Sequence, residues 1–167
     1  MSLTLQPLSI EDGEDVYTML QHIDAVANGF TNPANGLSFD AFRDWLRTAD
    51  ARARQQGISA SGEVPEHSYW LCEDGRPVGF GKIRTIMTDA HRAIGGNVGY
   101  ALADDARGRG LGKAFLGLLL DECRKLGVND VLLTIRQANQ PSLAVALANG
   151  GVIEKEDLGR YYVRIRP

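Results

Sequence analysis

Apolar positions along the chain recur with two periods. From Leu111 the sequence sets Leu111, Phe115, Leu118, Leu119, Cys123 and Leu126 at three- and four-residue steps, with Lys113, Asp121, Arg124 and Lys125 on other faces. That spacing predicts an amphipathic helix of about four turns beginning at Gly110. Ahead of it, Val98-Gly99-Tyr100-Ala101-Leu102 reads as a strand. Behind it, past Gly127, Val131-Leu132-Leu133-Thr134-Ile135 is a nearly continuous apolar run, which predicts a strand covered on both faces. Tyr69 to Glu73 and Pro77 to Ile86, joined across Asp74-Gly75, read as a hairpin of two central strands. Leu3 to Pro7 reads as a short first strand, and Tyr161 to Ile165 alternates as a final one.

The remaining segments follow from caps and breakers. Ser9 stands three residues before Asp12, an N-cap signature for a helix through about Ile23. Ser38 predicts the cap of a second helix running to the Gly57 stop, with Phe39, Phe42, Trp45 and Leu46 on one face. Its Arg43, Arg47, Arg52 and Arg54 read as a solvated face rather than a partner surface. Asn139-Gln140-Pro141-Ser142 opens a short helical stretch, Leu143 to Asn149, ended by Gly150-Gly151. Residues 24–37, 57–66 and 88–96 read as polar connections. A hairpin followed by strand, loop, helix, strand, helix and strand predicts a mixed α/β (α+β) fold.

Composition narrows this picture. A chain of 167 residues, 44% hydrophobic and 23% charged, suits a single soluble domain over residues 1–167. A net charge of −3 and the lack of a long basic run argue against nucleic acid as a partner. No apolar stretch reaches spanning length and no signal-peptide pattern is present, so no membrane partner is expected and the protein is expected to be cytoplasmic. Cys72 and Cys123 lack metal or redox spacing, and no metal site is expected. Cys123 lies on the apolar stripe of the long helix, where a thiol serves as a small buried hydrophobe.

The candidate chemistry sits between strand and helix, in Asp104-Asp105-Ala106-Arg107-Gly108-Arg109-Gly110-Leu111-Gly112-Lys113. Backbone N–H groups with no intrahelical partner point out of such a turn, and the helix dipole adds positive charge there. Glycines allow close approach of a ligand, and Arg107 and Arg109 supply fixed charge. The stretch reads as an anion cradle for phosphates. A Walker loop aligned on Gly112-Lys113 would need glycine at 107 and a hydroxyl at 114, where Arg107 and Ala114 stand. A dinucleotide fingerprint aligned on Gly108 and Gly110 would need a small residue where Lys113 stands.

The pattern that fits is Arg/Gln-x-x-Gly-x-Gly/Ala, met by Arg107, Gly110 and Gly112. Here the chain resembles the GCN5-related N-acetyltransferase (GNAT) family, whose pyrophosphate loop for acetyl-coenzyme A has this form. The resemblance covers roughly residues 69–166, and the Asn149-Gly150-Gly151-Val152 ending of the last helix resembles one bacterial branch. It implies a central, mostly antiparallel sheet splayed between its fourth and fifth strands, with helices on both faces. Acetyl-coenzyme A would then lie in a wedge between Tyr100–Leu102 and Val131–Ile135, as a co-substrate. The resemblance sets Leu102, Ala103, Arg107, Gly108, Arg109, Gly110, Leu111, Gly112, Lys113, Asn139 and Ser142 against it. Leu102 would hold the pantetheine arm, and the backbone N–H of Tyr100 would stabilise the oxyanion.

Two departures from the family pattern concern catalysis. Many relatives carry a carboxylate base where this chain has Gly95-Gly96-Asn97, and a tyrosine acid where it has Ala146. Substitute bases would come from Glu66, His67, Asp89 or His91, and Tyr100 could supply a hydroxyl or simply belong to a core face with Val98 and Leu102. The expected activity is acetyl transfer to a primary amine of a small molecule by direct attack in a ternary complex. A longer acyl donor, a peptide or protein amine, and a non-catalytic acyl-coenzyme A sensor are the alternatives. The acceptor pocket would be drawn from residues 24–37, 57–68 and 87–97, and a homodimer stays open.

Overall fold

The computed structural model describes residues 1–167. In chain order, β1 (Leu3–Pro7) and α1 (Glu14–Gln21) lead to the short strands β2 (Val26–Ala27) and β3 (Phe30–Thr31). Then come α2 (Phe39–Ala53), β4 (Glu66–Glu73), β5 (Arg76–Arg84), α3 (Asp89–Ala93) and β6 (Val98–Leu102). A single 3-10 turn at Asp104–Ala106 precedes α4 (Leu111–Lys125), followed by β7 (Val131–Arg136), α5 (Gln140–Ala148), β8 (Val152–Asp157) and β9 (Arg160–Ile165).

Two antiparallel sheets carry the fold, in the orders β1-β4-β5-β6 and β7-β9-β8. Helices cover both faces. On one side Val16, Met19 and Leu20 of α1 and Phe42 and Leu46 of α2 bury against Trp70, Cys72 and Phe80. On the other, Leu111, Phe115, Leu119 and Cys123 of α4 pack on Tyr69, Leu71, Ile83 and the inner residues of β7 and β9. Glycines on β5 let α4 come this close: a Cβ at Gly79 would stand 2.8 Å from the Phe115 ring, and one at Gly81 2.9 Å from Leu119.

The expected splay falls between β6, fourth in its sheet, and β7. No ladder joins them. They are stitched where both begin, through Asn97 and Leu132. The Asn97 N–H donates to Leu132 O at 2.8 Å, and Asn97 Oδ1 accepts from the Leu132 N–H at 2.8 Å. From this junction β6 runs toward Leu102 and β7 toward Arg136, so the wedge opens at their C-terminal ends.

Five local expectations need correction. Ser9 does not cap α1. Asp12 accepts hydrogen bonds from Ser9 N–H and Trp70 Nε1, both at 2.8 Å, so the pair closes a turn against the sheet and α1 starts only after Gly13. Ser38 does cap α2, but the helix stops at Ala53, where the Arg54 and Gln55 N–H groups bond back three residues to Ala51 O and Arg52 O, and Arg52 Nε ties this end to the returning loop at Val64 O, 2.6 Å away. Residues 24–37 contain the β2–β3 hairpin, held to the end of α1 by buried Asn32, whose Nδ2 donates to Leu20 O and Ile23 O. Residues 88–96 contain α3, capped by Thr88. Finally, β8 was not anticipated: all six of its residues are exposed, and an edge strand with no buried side leaves no period-two signal.

Candidate active site

The cradle is built as the Gly-rich turn requires. Gly108 and Gly110 take left-handed φ values of +71° and +76°, which side chains with a Cβ disfavour. An added Cβ at either would meet no protein atom within 4 Å, so both face open space. The backbone N–H groups from Arg107 to Lys113 donate to no backbone carbonyl outside the helix, and those of Leu111, Gly112 and Lys113 lie in the first turn of α4, where no intrahelical acceptor exists. Gly112 differs: its Cβ would lie 3.3 Å from Val145, so this glycine sets the approach of α5 to α4. The charges also divide. Arg109 turns away and pairs with Glu73 at 2.6 Å, while Arg107 is exposed and donates through Nε to Leu102 O at 3.2 Å. Lys113 is exposed and carries no ion pair. Seven amides with two exposed cations suit the phosphates of a coenzyme.

Strand β6 presents its backbone to the wedge. The Ala103 N–H donates to Val78 O at 2.9 Å, and Arg84 N–H donates to Asn97 O at 2.7 Å, so odd-numbered residues bond across to β5. Tyr100, opposite Gly81, therefore belongs to a non-bonded pair whose N–H and C=O point away from β5 and into the wedge. Leu102 shares that orientation. Ala103 is buried and faces the sheet and α1 side of the core. The Tyr100 ring packs on Phe115 with centroids 5.5 Å apart, and its hydroxyl stands 3.5 Å from Ser142 Oγ across the wedge. Burial pushes the Tyr100 phenol up, against a smaller opposing effect of Ser142, so it stays a proton donor at neutral pH. Asn139 caps α5, its Oδ1 accepting from Ser142 N–H at 3.4 Å.

The opposite face of the first sheet carries a polar strip of which sequence reasoning named only Glu66. Cross-strand rows bring together Ser68, Lys82 and Gly99, and beside them Glu66 and Arg84. Lys82 is 5% exposed, and its Nζ donates to Thr31 O at 2.6 Å and Thr31 Oγ1 at 3.2 Å. Its ammonium lies 4.8 Å from the Phe30 ring centroid and 5.2 Å from that of Phe80. Glu66 approaches Arg84 Nε at 3.1 Å, an ion contact without hydrogen-bond alignment, and Lys82 at 3.9 Å. A signal was present: alternation from Phe80 puts Lys82 on an apolar face of a central strand.

Burial pushes the Lys82 ammonium down to about 8, with Arg84 and Arg52 adding to the shift and Glu66 opposing it. The unfolded chain would hold this proton to its ordinary value of 10.5. Between those limits the unfolded state binds the extra proton, so the contribution of Lys82 rises with pH through that window and is lost as pH falls through 8. The urea-unfolding free energy of the wild type minus that of Lys82→Met should rise by about 3 kcal/mol over that range. Taking the difference cancels Tyr69 and Cys123, both pushed up to about 12 and titrating the other way. A pH-independent difference would show that Lys82 keeps an ordinary pKa.

None of the four candidate bases is well poised. Glu66 is already engaged by two cations, Arg84 and Lys82. Asp89 is fully exposed and pairs with Arg92 at 2.9 Å. His91 Nδ1 already accepts from Thr88 N–H at 3.2 Å, and burial lowers its pKa. His67 is also lowered by burial, and alternation along β4 sets it on the α4 face, away from Glu66.

The acetyltransferase (GNAT) domain family matches residues 2–152, and the chain belongs to this family of N-acetyltransferases, which use acetyl-coenzyme A. Among solved structures, the chain is similar to the Campylobacter jejuni N-acetyltransferase PseH in complex with acetyl-coenzyme A. The identity is 14% with a TM-score of 0.63, covering 99% of each chain. It is similar at 16% identity and a TM-score of 0.63 to mutant forms of the Vibrio cholerae spermidine/spermine N-acetyltransferase SpeG, covering 99% of this chain and 95% of that one. A Salmonella typhimurium acetyltransferase that modifies the N-terminal serine of ribosomal protein L7/L12 matches at 16% identity and a TM-score of 0.64, with 98% and 92% coverage. Among curated protein sequences, none matches the chain. These likenesses confirm the mixed α+β fold. No helix is long and apolar enough to cross a membrane.

Proposed function

We propose that the chain acetylates the primary amine of a small molecule by direct attack in a ternary complex. The observation that carries this reading is the run of unpartnered cradle amides that follows β6, the strand whose Tyr100 backbone faces the wedge. Amides Arg107 to Lys113, with the Arg107 and Lys113 side chains, would hold the pyrophosphate. Leu102 and the α5 N-terminus at Asn139 and Ser142 would flank the pantetheine arm. The coenzyme supplies an activated acyl carbon as its thioester. The Tyr100 N–H would stabilise the oxyanion as the C–N bond forms, and the C–S bond would then break to release a thiolate.

The amine must arrive unprotonated. An α-amine with a pKa near ~8 has an appreciable neutral fraction at mildly alkaline pH, so its proton can go to water without a dedicated base. At the other end, a thiolate with a pKa like the ~8.5 of free cysteine is a tolerable leaving group, and the Tyr100 phenol can protonate it. Tyr100→Phe should therefore lower turnover by less than the 10²–10⁴-fold typical of losing a general acid, with coenzyme affinity checked separately. A thousandfold loss at normal affinity would make Tyr100 an obligatory acid.

The test of the whole reading is release of free coenzyme A thiol against amino acids, polyamines, aminoglycosides and short peptides. Turnover confined to peptides would move the acceptor class to polypeptide amines. Tight acetyl-coenzyme A binding with no turnover of any amine would leave a sensor module.

A further inference from the structure

The β2–β3 hairpin bridges the two sheets on the side of the wedge away from α4. At one end Phe30 lies over β6: a Cβ added to Gly99 would stand 3.2 Å from its ring. One residue earlier, Gly29 forms the turn with Asn28, both at positive φ, and a Cβ there would stand 3.8 Å from Arg136 Nε and 4.0 Å from Arg160 Nη1. Two guanidinium groups thus converge on a single turn. Arg136 and Arg160 are direct cross-strand partners at the ends of β7 and β9. Like charges set opposite each other in a ladder are unfavourable. No carboxylate lies within ion-pair distance of either arginine, unlike Arg47, Arg52, Arg54, Arg76, Arg92, Arg109 and Arg164. The nearest acid by register is Asp157, opposite Arg160 on β8, and its Oδ1 accepts from the Leu158 N–H.

The position gives this pair its meaning. Arg136 ends β7 at the mouth of the wedge, and its carbonyl accepts from the Asn139 N–H at 2.8 Å, where α5 begins. Neighbouring Ile135 belongs to the α4-side core, so Arg136 projects on the hairpin face. Gly29 and Phe30 are consecutive, with Cα atoms about 3.8 Å apart. The arginine pair and the Gly99-Tyr100 segment therefore face neighbouring residues of one hairpin. The strip beyond Phe30 adds two further cations, Lys82 and Arg84, against a single carboxylate, Glu66. A polyamine or aminoglycoside would meet net positive charge here.

We propose that Arg136 and Arg160 form an anion subsite of the acceptor pocket, so that the amine acetylated by this enzyme also carries an oxyanion, a carboxylate or a phosphate. This rests on the acetyltransferase reading above. Planar guanidinium groups side by side suit the paired oxygens of either acid. The acid binds at the turn, which leaves the amine end of the molecule to reach toward Tyr100.

The experiment compares matched acceptors by coenzyme A thiol release. The pairs are L-amino acids against their methyl esters, O-phosphoethanolamine against ethanolamine, and putrescine as an acid-free diamine. The acid-bearing member should be favoured in kcat/KM by about a hundredfold, as expected of two charge-assisted contacts. Whichever arm is favoured identifies the acid. Arg136→Gln and Arg160→Gln should each raise KM for that acceptor about tenfold while the KM for acetyl-coenzyme A is unmoved, and melting temperature verifies the fold. Esters or putrescine turned over as well as the acids, or unchanged KM in both variants, would overturn the subsite and leave the acetyltransferase reading standing. No thiol release with any amine, from protein that binds acetyl-coenzyme A, would overturn both.

Discussion

Gly110→Asp is expected to abolish acetyl-coenzyme A binding while leaving the protein folded. Gly110 precedes α4 at φ +76°, and a Cβ built on it points into open space rather than into the protein. Packing is therefore not the reason for glycine here. The left-handed backbone costs a residue with a Cβ roughly 1–2 kcal/mol, and less for aspartate, which visits that region more readily than most. The effect on the ligand is far larger. A carboxylate would sit among the amides of Arg107 to Lys113, taking their hydrogen bonds and opposing a pyrophosphate by like charge. Affinity measured by calorimetry should fall at least a hundredfold, corresponding to about 3 kcal/mol or more. Gly108→Asp should behave alike. Unchanged affinity in both folded variants would remove the phosphate-loop assignment. Gly112→Asp is a poorer probe, since Val145 lies 3.3 Å from its Cβ and loss of binding there could follow from displacing α5.

How far the sequence reveals this site depends on where its information is held. The cradle is contiguous, its glycines enforce local backbone conformations, and α4 announces itself by periodicity. All three were legible from Arg107, Gly108, Gly110 and the Leu111–Leu126 stripe. The wedge was legible only through family likeness, because nothing local to β6 or β7 says that adjacent strands will not pair. Arg109 looked like a phosphate ligand, but its orientation is set by Glu73, 36 residues earlier in the chain. Lys82 looked like any strand lysine, and its burial depends on Phe30 and Thr31 from a hairpin too short to leave a pattern. Arg136 and Arg160 meet only in the register of β7 against β9. Each missed feature of the site arises from a long-range pairing, whereas the cradle and α4 are encoded within a few consecutive turns.

Asn97 sharpens that contrast and carries the last expectation. By family likeness this region holds a general base in many relatives, and an asparagine there reads as a loss. In the fold it is a clamp. The residue is 4% exposed, Oδ1 accepts from the Leu132 N–H at 2.8 Å, and Nδ2 donates to Arg84 O at 2.9 Å. Both backbone groups are also bonded, one to each neighbouring strand. An aspartate could still accept from Leu132, but its second oxygen would face the Arg84 carbonyl with no proton to share. Asn97→Asp should therefore supply no useful base and should destabilise the fold. Asn97→Ala would leave the Leu132 N–H and Arg84 C=O without side-chain partners, at about 1–3 kcal/mol each. Gly96→Ala attacks the same junction sterically. Gly96 has φ +63°, and an added Cβ would lie 2.3 Å from Leu132 O, closer than any relaxed contact. Backbone strain and forced separation of β6 from β7 should together cost about 3–5 kcal/mol, a large share of the 5–15 kcal/mol typical of a domain. Urea unfolding should show midpoints falling in all three variants, most in Gly96→Ala. Wild-type midpoints in Asn97→Ala and Gly96→Ala would mean that the closed end of the wedge is not held by this junction.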